Sequence, residues 1–436
     1  MSSAPGEQPL VIAFYLPQFH PTPENDAWWQ PGFTEWHNVV QAAPLFDGHY
    51  QPHLPGELGF YDLRVAEVRE QQSELARRHG IDAFCYYHYW FGGRRLLERT
   101  FAEVRASGRP DLPFCLCWAN ENWSPSWDSR GDMVLVAQEY GPEERAAHIV
   151  ELVASFGDER YLRKDGRPIF MIYRIQEVPD AEGFVADLRA ESLRAGTGDP
   201  YVVRFDTYSS FDDPAATGCD AAAQFFPHGI IENGAEDHRL DLGDPGNTVL
   251  PYDEIADLLL ALPPPEWTRH ECVTPGWDNT PRRGDGHALV IHGSTPEGYE
   301  RWLRAVVDRA PARGGLVFVN AWNEWAEGAH LEPDQRWGDA YLRAHAQAVL
   351  GREPGPRAAP VPPAQIEPIG LEERYRSLWD SYLDLQRRLS ALEGVARRAA
   401  DRELTALREE LAEQKALVKE LSDDLVRVVG HRPPMS

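Results

Sequence analysis

Two glutamates three residues apart, Glu324 and Glu327, stand where an apolar run gives way to polar residues in GLVFVNAWNEWAEGAHLEPD, Gly315–Asp334. If the backbone turns helically there, side chains at this spacing lie roughly 5–6 Å apart and face one space. Retaining enzymes that cleave glycosidic bonds hold their two carboxyl groups about 5–5.5 Å apart, one working as acid and the other as base or nucleophile. A Glu-x-x-Glu alone is an ordinary feature of solvated loops. Here the preceding Leu316-Val317-Phe318-Val319 reads as a strand buried on both faces, Trp322 and Trp325 flank the pair, and Asn323 adds a hydrogen-bonding group.

Such a pair needs a scaffold, and the chain shows one. Short apolar runs alternate with amphipathic stretches from residue 10 to about 350, the pattern of repeated β-α units around a parallel sheet. The runs are Leu10–Leu16, Ile81–Tyr87, Leu112–Trp118, Pro168–Tyr173, Tyr201–Phe205, Cys219–Phe225, a weaker one near Glu271–Thr274, and Gly315–Ala321. Helical candidates between and after them are Asp62–His79, Pro142–Phe156, Ala181–Ala195, Tyr252–Leu262, Pro296–Ala310 and Gln335–Leu350. Eight such units predict an α/β fold, a (β/α)8 TIM barrel, over residues 1–350. No glycine-rich phosphate loop follows the first run, where a dinucleotide fold needs one.

Barrel active sites are built at the C-terminal strand ends. The first run is followed by Tyr15, His20 and Glu35, the second by Tyr87 and Trp90, and the third by Trp118, Asn120, Glu121, Trp123 and Trp127-Asp128. Tyr173, His228 and Trp277-Asp278 follow the fourth, sixth and seventh runs, and Trp322 and Asn323 the last. Flat rings with amides, acids and Arg are what a carbohydrate pocket requires. Each residue also has a plainer reading: the tyrosines pack the barrel top, and Glu35 in Thr34-Glu35-Trp36 begins a helix. His20, His88 and His228 are spread over three strand ends, and no metal or cofactor is expected.

The net charge of −26 argues against nucleic acid and anionic membrane surfaces, which need clustered Lys and Arg. Fourteen tryptophans favour stacking surfaces, for which the apolar faces of sugar rings are one fitting ligand. The cysteines Cys85, Cys115, Cys117, Cys219 and Cys272 fall mostly in apolar runs and are odd in number, so they read as core residues of a reducing compartment. The apolar run near the N-terminus lacks a basic leader and is broken by Pro17, and no segment approaches the roughly 18 apolar residues of a membrane span. A cytoplasmic protein is the expectation.

Residues 351–369 are a Pro/Ala-rich linker. Over 370–430, Leu371, Tyr375, Leu378, Tyr382, Leu385, Leu389 and Leu392 form a heptad seam that slips after Gly394 and resumes from Leu404 to Val428. It reads as a coiled coil for homo-oligomerisation or a protein partner, or as a helical hairpin packed on the barrel.

Five segments in order, AFYLPQFHP, GFTEWHNV with GHYQPHLPGELGFYDL, CYYHYWFGG, WANENWSPSWD and WNEWAEGAHLEPD, make the chain resemble the WbsX-like family. The barrel of that family is similar to that of glycoside hydrolase family 99. The resemblance covers roughly residues 9–350 and implies a carbohydrate-active enzyme. In family-99 mannosidases the first glutamate of the pair takes a proton from the sugar 2-hydroxyl, giving a 1,2-anhydro intermediate, and the second protonates the leaving oxygen. Carried over, Glu324 is the base and Glu327 the acid, acting on an oligosaccharide or glycolipid intermediate. WbsX-like proteins are linked to surface polysaccharide assembly, so two rivals stay open. One is a nucleotide-sugar glycosyltransferase, for which Arg94-Arg95 and Arg282-Arg283 are the paired arginines to hold a diphosphate. The other is a non-catalytic carbohydrate-binding scaffold.

Overall fold

In a computed structural model of the chain, eight parallel strands close on themselves: β1 (Leu10–Tyr15), β2 (Ala83–Phe91), β3 (Phe114–Trp118), β4 (Arg167–Ile172), β5 (Tyr201–Asp206), β6 (Ala221–Gln224), β7 (Arg269–Val273) and β8 (Leu316–Val319). Each pairs with the next, and β1 pairs with both β8, Val11 opposite Val317, and β2, Ile12 opposite Ala83. The described residues are 8–123, 134–207, 210–231, 233–240, 246–283, 286–312 and 314–352. The heptad seam and the linker from residue 353 onward lie outside them, as does Trp127-Asp128.

Outer helices are α1 (Ala66–Arg78), α2 (Glu98–Ser107), α3 (Pro142–Phe156), α4 (Ala181–Arg194), α5 (Tyr252–Ala261), α6 (Pro296–Arg309) and α7 (Ala340–Leu350). The β5–β6 connection carries a 3-10 turn, Pro214–Thr217. Local chemistry explains the sharper boundaries. Thr295 Oγ1 accepts from Gly298 N–H at 3.1 Å and Pro296 opens α6, whose Tyr299, Trp302, Leu303, Val306 and Val307 form its buried stripe. Helix α2 was not expected. Its start follows Leu97 in a left-handed turn, and its short apolar face, Phe101 and Val104, is interrupted by Arg99, Glu103 and Arg105.

The barrel interior is aromatic. Phe14 meets Phe318 at 5.6 Å, Phe205 at 5.3 Å, Phe225 at 5.2 Å and Tyr87 at 6.0 Å between ring centroids. Replacing Phe14 by Ala leaves a vacancy at this junction costing about 3–5 kcal/mol. All five cysteines are buried thiols, as core residues should be. No helix among the described residues is long and apolar enough to cross a membrane.

Between β6 and β7 the chain adds the strand Thr248–Pro251, and after β7 the strands Trp277–Asp278 and Leu289–His292; these three form a second small sheet. The helical turn Thr280–Arg283 leaves that sheet and brings Arg282 over the barrel mouth.

Candidate active site

After β8 the chain passes through Asn323–Glu324, a 3-10 turn Trp325–Glu327, and a return strand Ala329–His330 that pairs with Asn323–Glu324. In a 3-10 turn residues three apart eclipse, so Glu324 and Glu327 are directed to one side. Gly328 closes the turn at φ 61°, where a Cβ would stand 3.0 Å from that of Asp278 and 3.1 Å from its backbone nitrogen, so glycine is required.

One guanidinium joins the acids. Arg282 Nη1 donates to Glu327 Oε1, and Nη2 donates to Glu324 Oε2 at 3.1 Å and to Glu35 Oε1 at 3.3 Å. Glu35 occupies the N-cap position of the helix Trp36–Gln41 but makes no capping bond; its second oxygen accepts from Asn38 Nδ2 at 3.4 Å. Glu35 thus stands at a helix start while its side chain turns to Arg282.

Burial pushes Glu324 up to about 8, helped by the charge of Glu327 and opposed by Arg282. Burial also raises Glu327, against Arg282, with Glu35 and Glu121 adding to the rise. For Arg282 burial works toward deprotonation, and Glu35, Glu327 and Glu324 more than reverse it, so it stays charged. Three carboxylates around one buried cation leave two negative charges if all ionise. Burial therefore favours a neutral carboxyl within the cluster, with Glu324 and Glu327 both held toward the protonated form.

Strand alternation sorts the expected aromatic residues. On β2, Tyr87 and Tyr89 point inward, and both hydroxyls are raised by burial and by the nearby Glu324. Trp90 stacks on His148 of α3 at 5.0 Å, and His88 Nε2 lies 3.1 Å from the same ring, so these two face the helix layer. Trp118 packs against His148 and Phe184, between α3 and α4. Tyr15 donates to Gln72 of α1 at 2.7 Å. Trp322 is fully buried against Phe84 at 5.2 Å. Tyr15, Trp90 and Trp118, expected to line the pocket, thus stand on the outer side of the barrel wall, because successive strand residues face opposite sides; Trp322, expected there too, lies beyond the end of β8 and packs on Phe84.

The two asparagines serve as clamps. Asn323 Oδ1 accepts from Leu16 N–H at 2.7 Å and its Nδ2 donates to Leu16 O at 3.0 Å; Asn120 does the same to Arg174, at 2.8 and 2.7 Å. Each ties one strand end to a neighbouring one. Glu121 pairs with Arg174 Nε at 2.6 Å. Tyr173 and His228 share a 2.8 Å hydrogen bond, and burial pulls His228 down to about 4. Trp123 lies against Tyr89 at 5.2 Å and Trp28 at 5.6 Å. His20 is buried, and its charged neighbours, Asp62, Arg64, Arg99 and Glu103, are separate from the Arg282 cluster. Of the residues singled out in the sequence, Glu35, Tyr87, Glu324 and Glu327 lie together, with Glu121 near enough to bias Glu327. The expected pocket lacked Arg282 and Tyr89. Tyr89 follows from Tyr87 by a period of two, whereas Arg282 was noticed only as a diphosphate candidate.

The family described as glycosyltransferase WbsX matches residues 11–345. The chain belongs to this family. A relative named uncharacterized protein WxcX, from Xanthomonas campestris pv. campestris, is 41% identical over 379 residues, 86% of this chain and 54% of the relative. The chain thus spans about half the length of the curated relatives it matches. Among solved structures, a glycoside hydrolase-like protein aligns with TM-score 0.50 and 14% identity, over 80% of this chain and 96% of that one. The family-99 endo-α-mannosidase of Bacteroides thetaiotaomicron aligns with TM-score 0.48 and 16% identity, over 78% and 95%. The first of these likenesses is one of fold.

Proposed function

We propose that this chain makes or breaks glycosidic bonds in an oligosaccharide or surface-polysaccharide intermediate by retaining-type chemistry, with Glu324 as base and Glu327 as acid. The observation that carries the reading is the joining of Glu324, Glu327 and Glu35 by Arg282 at the C-terminal mouth of the barrel. In this route Glu324 removes the proton of a sugar 2-hydroxyl as its oxygen attacks the anomeric carbon. Glu327 protonates the departing oxygen. Water or a sugar hydroxyl then opens the anhydro ring, its proton passing to Glu327 while Glu324 returns its own proton to the sugar O2. Both carboxyls are held toward the neutral form, so for Glu324 to act as base the substrate must draw Arg282 from Glu327 toward Glu324 and leave the proton on Glu327. Tyr87, Tyr89 and Trp123 supply the wall of the sugar site.

Leaving-group dependence tests the roles. A glycosyl fluoride departs without a proton, so Glu327→Gln should process it while losing turnover of sugar leaving groups. Equal loss on both substrates exchanges or removes the assignment.

A nucleotide-sugar donor is the second reading, favoured by the description of the family. It requires cations for a diphosphate. Arg282 is engaged by three carboxylates, Arg94 by Glu24 at 2.8 Å and Arg95 by Glu151 at 2.9 Å.

A further inference from the structure

Away from the carboxylate cluster, three groups converge on one point. His53 comes from the segment after β1, while His330 and Asp334 come from the loop that follows Glu327. His53 Nδ1 and His330 Nε2 are 2.9 Å apart, and one ligating atom from each of the three residues lies within 4.8 Å of the others. Two nitrogens about 2.0–2.1 Å from a single ion stand roughly 2.9 Å apart at a right angle and roughly 3.3 Å apart at the tetrahedral angle. The observed separation fits such an ion with a shift of a few tenths of an ångström at most.

The surroundings hold each group in register. His330 Nδ1 lies 3.0 Å from the Glu332 carbonyl oxygen, which places the proton on Nδ1 and turns the Nε2 lone pair toward His53. Trp325 stacks on His330 at 3.8 Å and Tyr50 on His53 at 4.2 Å. Asp334 accepts from Tyr50 OH at 3.2 Å and from Trp337 N–H at 2.5 Å. The three residues border a cavity of about 260 Å³, shared with His49, His292, Ser294 and Arg336, with room for further water ligands. Two charges nearby are already engaged: Asp278 accepts from Gln51 and pairs with His49, each at 2.6 Å, and Arg336 lies over the Tyr50 ring at 4.6 Å.

We propose that His53, His330 and Asp334 form a binding site for a divalent transition metal ion, zinc first, since two imidazoles and a carboxylate are its ordinary ligands. The ion ties the segment around His53 to the loop that begins at Gly328, directly after Glu327. The inference uses none of the acid/base residues and stands whether or not the reading of those residues does. Without an ion, the same two nitrogens form a single hydrogen bond between imidazoles.

The test is calorimetric titration of ZnCl2 into the untagged full chain after chelator treatment. One zinc per chain is expected, with affinity lowered at least about tenfold in His53→Asn and in Asp334→Asn. Saturating zinc should raise the thermal midpoint of the wild type and not of the variants. If a variant does not fold, wild-type crystals grown with zinc and measured at the zinc edge decide, with an anomalous peak expected between the three side chains. Absence of stoichiometric binding, wild-type affinity in both variants, or a peak elsewhere overturns the site.

Discussion

Glu324, Glu327 and Glu332 lie in one short stretch and are all pushed toward the protonated form by burial, yet their surroundings are opposite in kind. Glu332 accepts from Tyr61 OH at 2.7 Å, Gln72 Nε2 at 2.6 Å and Trp325 Nε1 at 2.7 Å, three neutral donors fixed in the core. Through Gln72, which also accepts from Tyr15, this carboxylate ties α1 to the barrel. Glu324 and Glu327 instead share one cation with Glu35, and the Glu327 side chain is 19% exposed. A raised pKa does not separate structural from chemical acids here. The donor set does: neutral donors on rigid frames hold a carboxylate still, while a shared guanidinium can change partners when a ligand arrives.

That contrast is sharpened most by paired substitutions. Glu324→Gln and Glu327→Gln should each lower turnover by roughly 10²–10⁴-fold while substrate affinity and thermal midpoint stay near wild type. Glu332→Ala should do the reverse. It leaves three buried donors without an acceptor, at about 1–3 kcal/mol each, so urea unfolding should show a loss of ~3 kcal/mol or more with turnover per folded molecule kept. A fold-neutral Glu332→Ala would erase the distinction.

A smaller effect concerns pH. Glu332, raised to about 7, and Glu324, raised to about 8, bind a proton more tightly in the folded chain than at the ordinary value of 4.5. Their stabilisation is complete below that value, falls as pH rises through about 7 and about 8, and is level beyond. Unfolding free energies measured across this window should decline in the wild type and decline less in Glu332→Gln; equal slopes in the two proteins contradict the Glu332 contribution. The smallest contrast compares two tyrosines on opposite sides of the wall. Tyr87→Phe should raise KM with stability little changed, whereas Tyr15→Phe should leave KM unchanged and cost about 1 kcal/mol through its lost bond to Gln72. Equal KM shifts would undo the inward and outward assignment.

The barrel was legible because each strand is a short apolar run that must be covered on both sides, and the pair Glu324 and Glu327 was legible because it interrupts the last run. Pocket membership was harder. Tyr15, Trp90 and Trp118 sit at strand ends in sequence, but one step of strand parity turns them to the helices while Tyr87 and Tyr89 face the barrel axis. Asn120 and Asn323 carry the groups a sugar site would want, and backbone atoms of neighbouring strand ends take them. Arg282 was legible only as a cation, since its partners lie 247, 42 and 45 residues away and meet it through an added sheet rather than a β-α repeat.

The central claim is that Glu324 and Glu327 act on a glycosidic bond without a nucleotide sugar. Mass spectrometry of an oligosaccharide pool, incubated with wild type or Glu327→Gln and with or without nucleotide sugars, tests it directly. An oligosaccharide that shortens or exchanges a residue with no nucleotide sugar present, and does so only with the wild type, is the predicted result. Products that grow solely as a nucleotide sugar is consumed would contradict it.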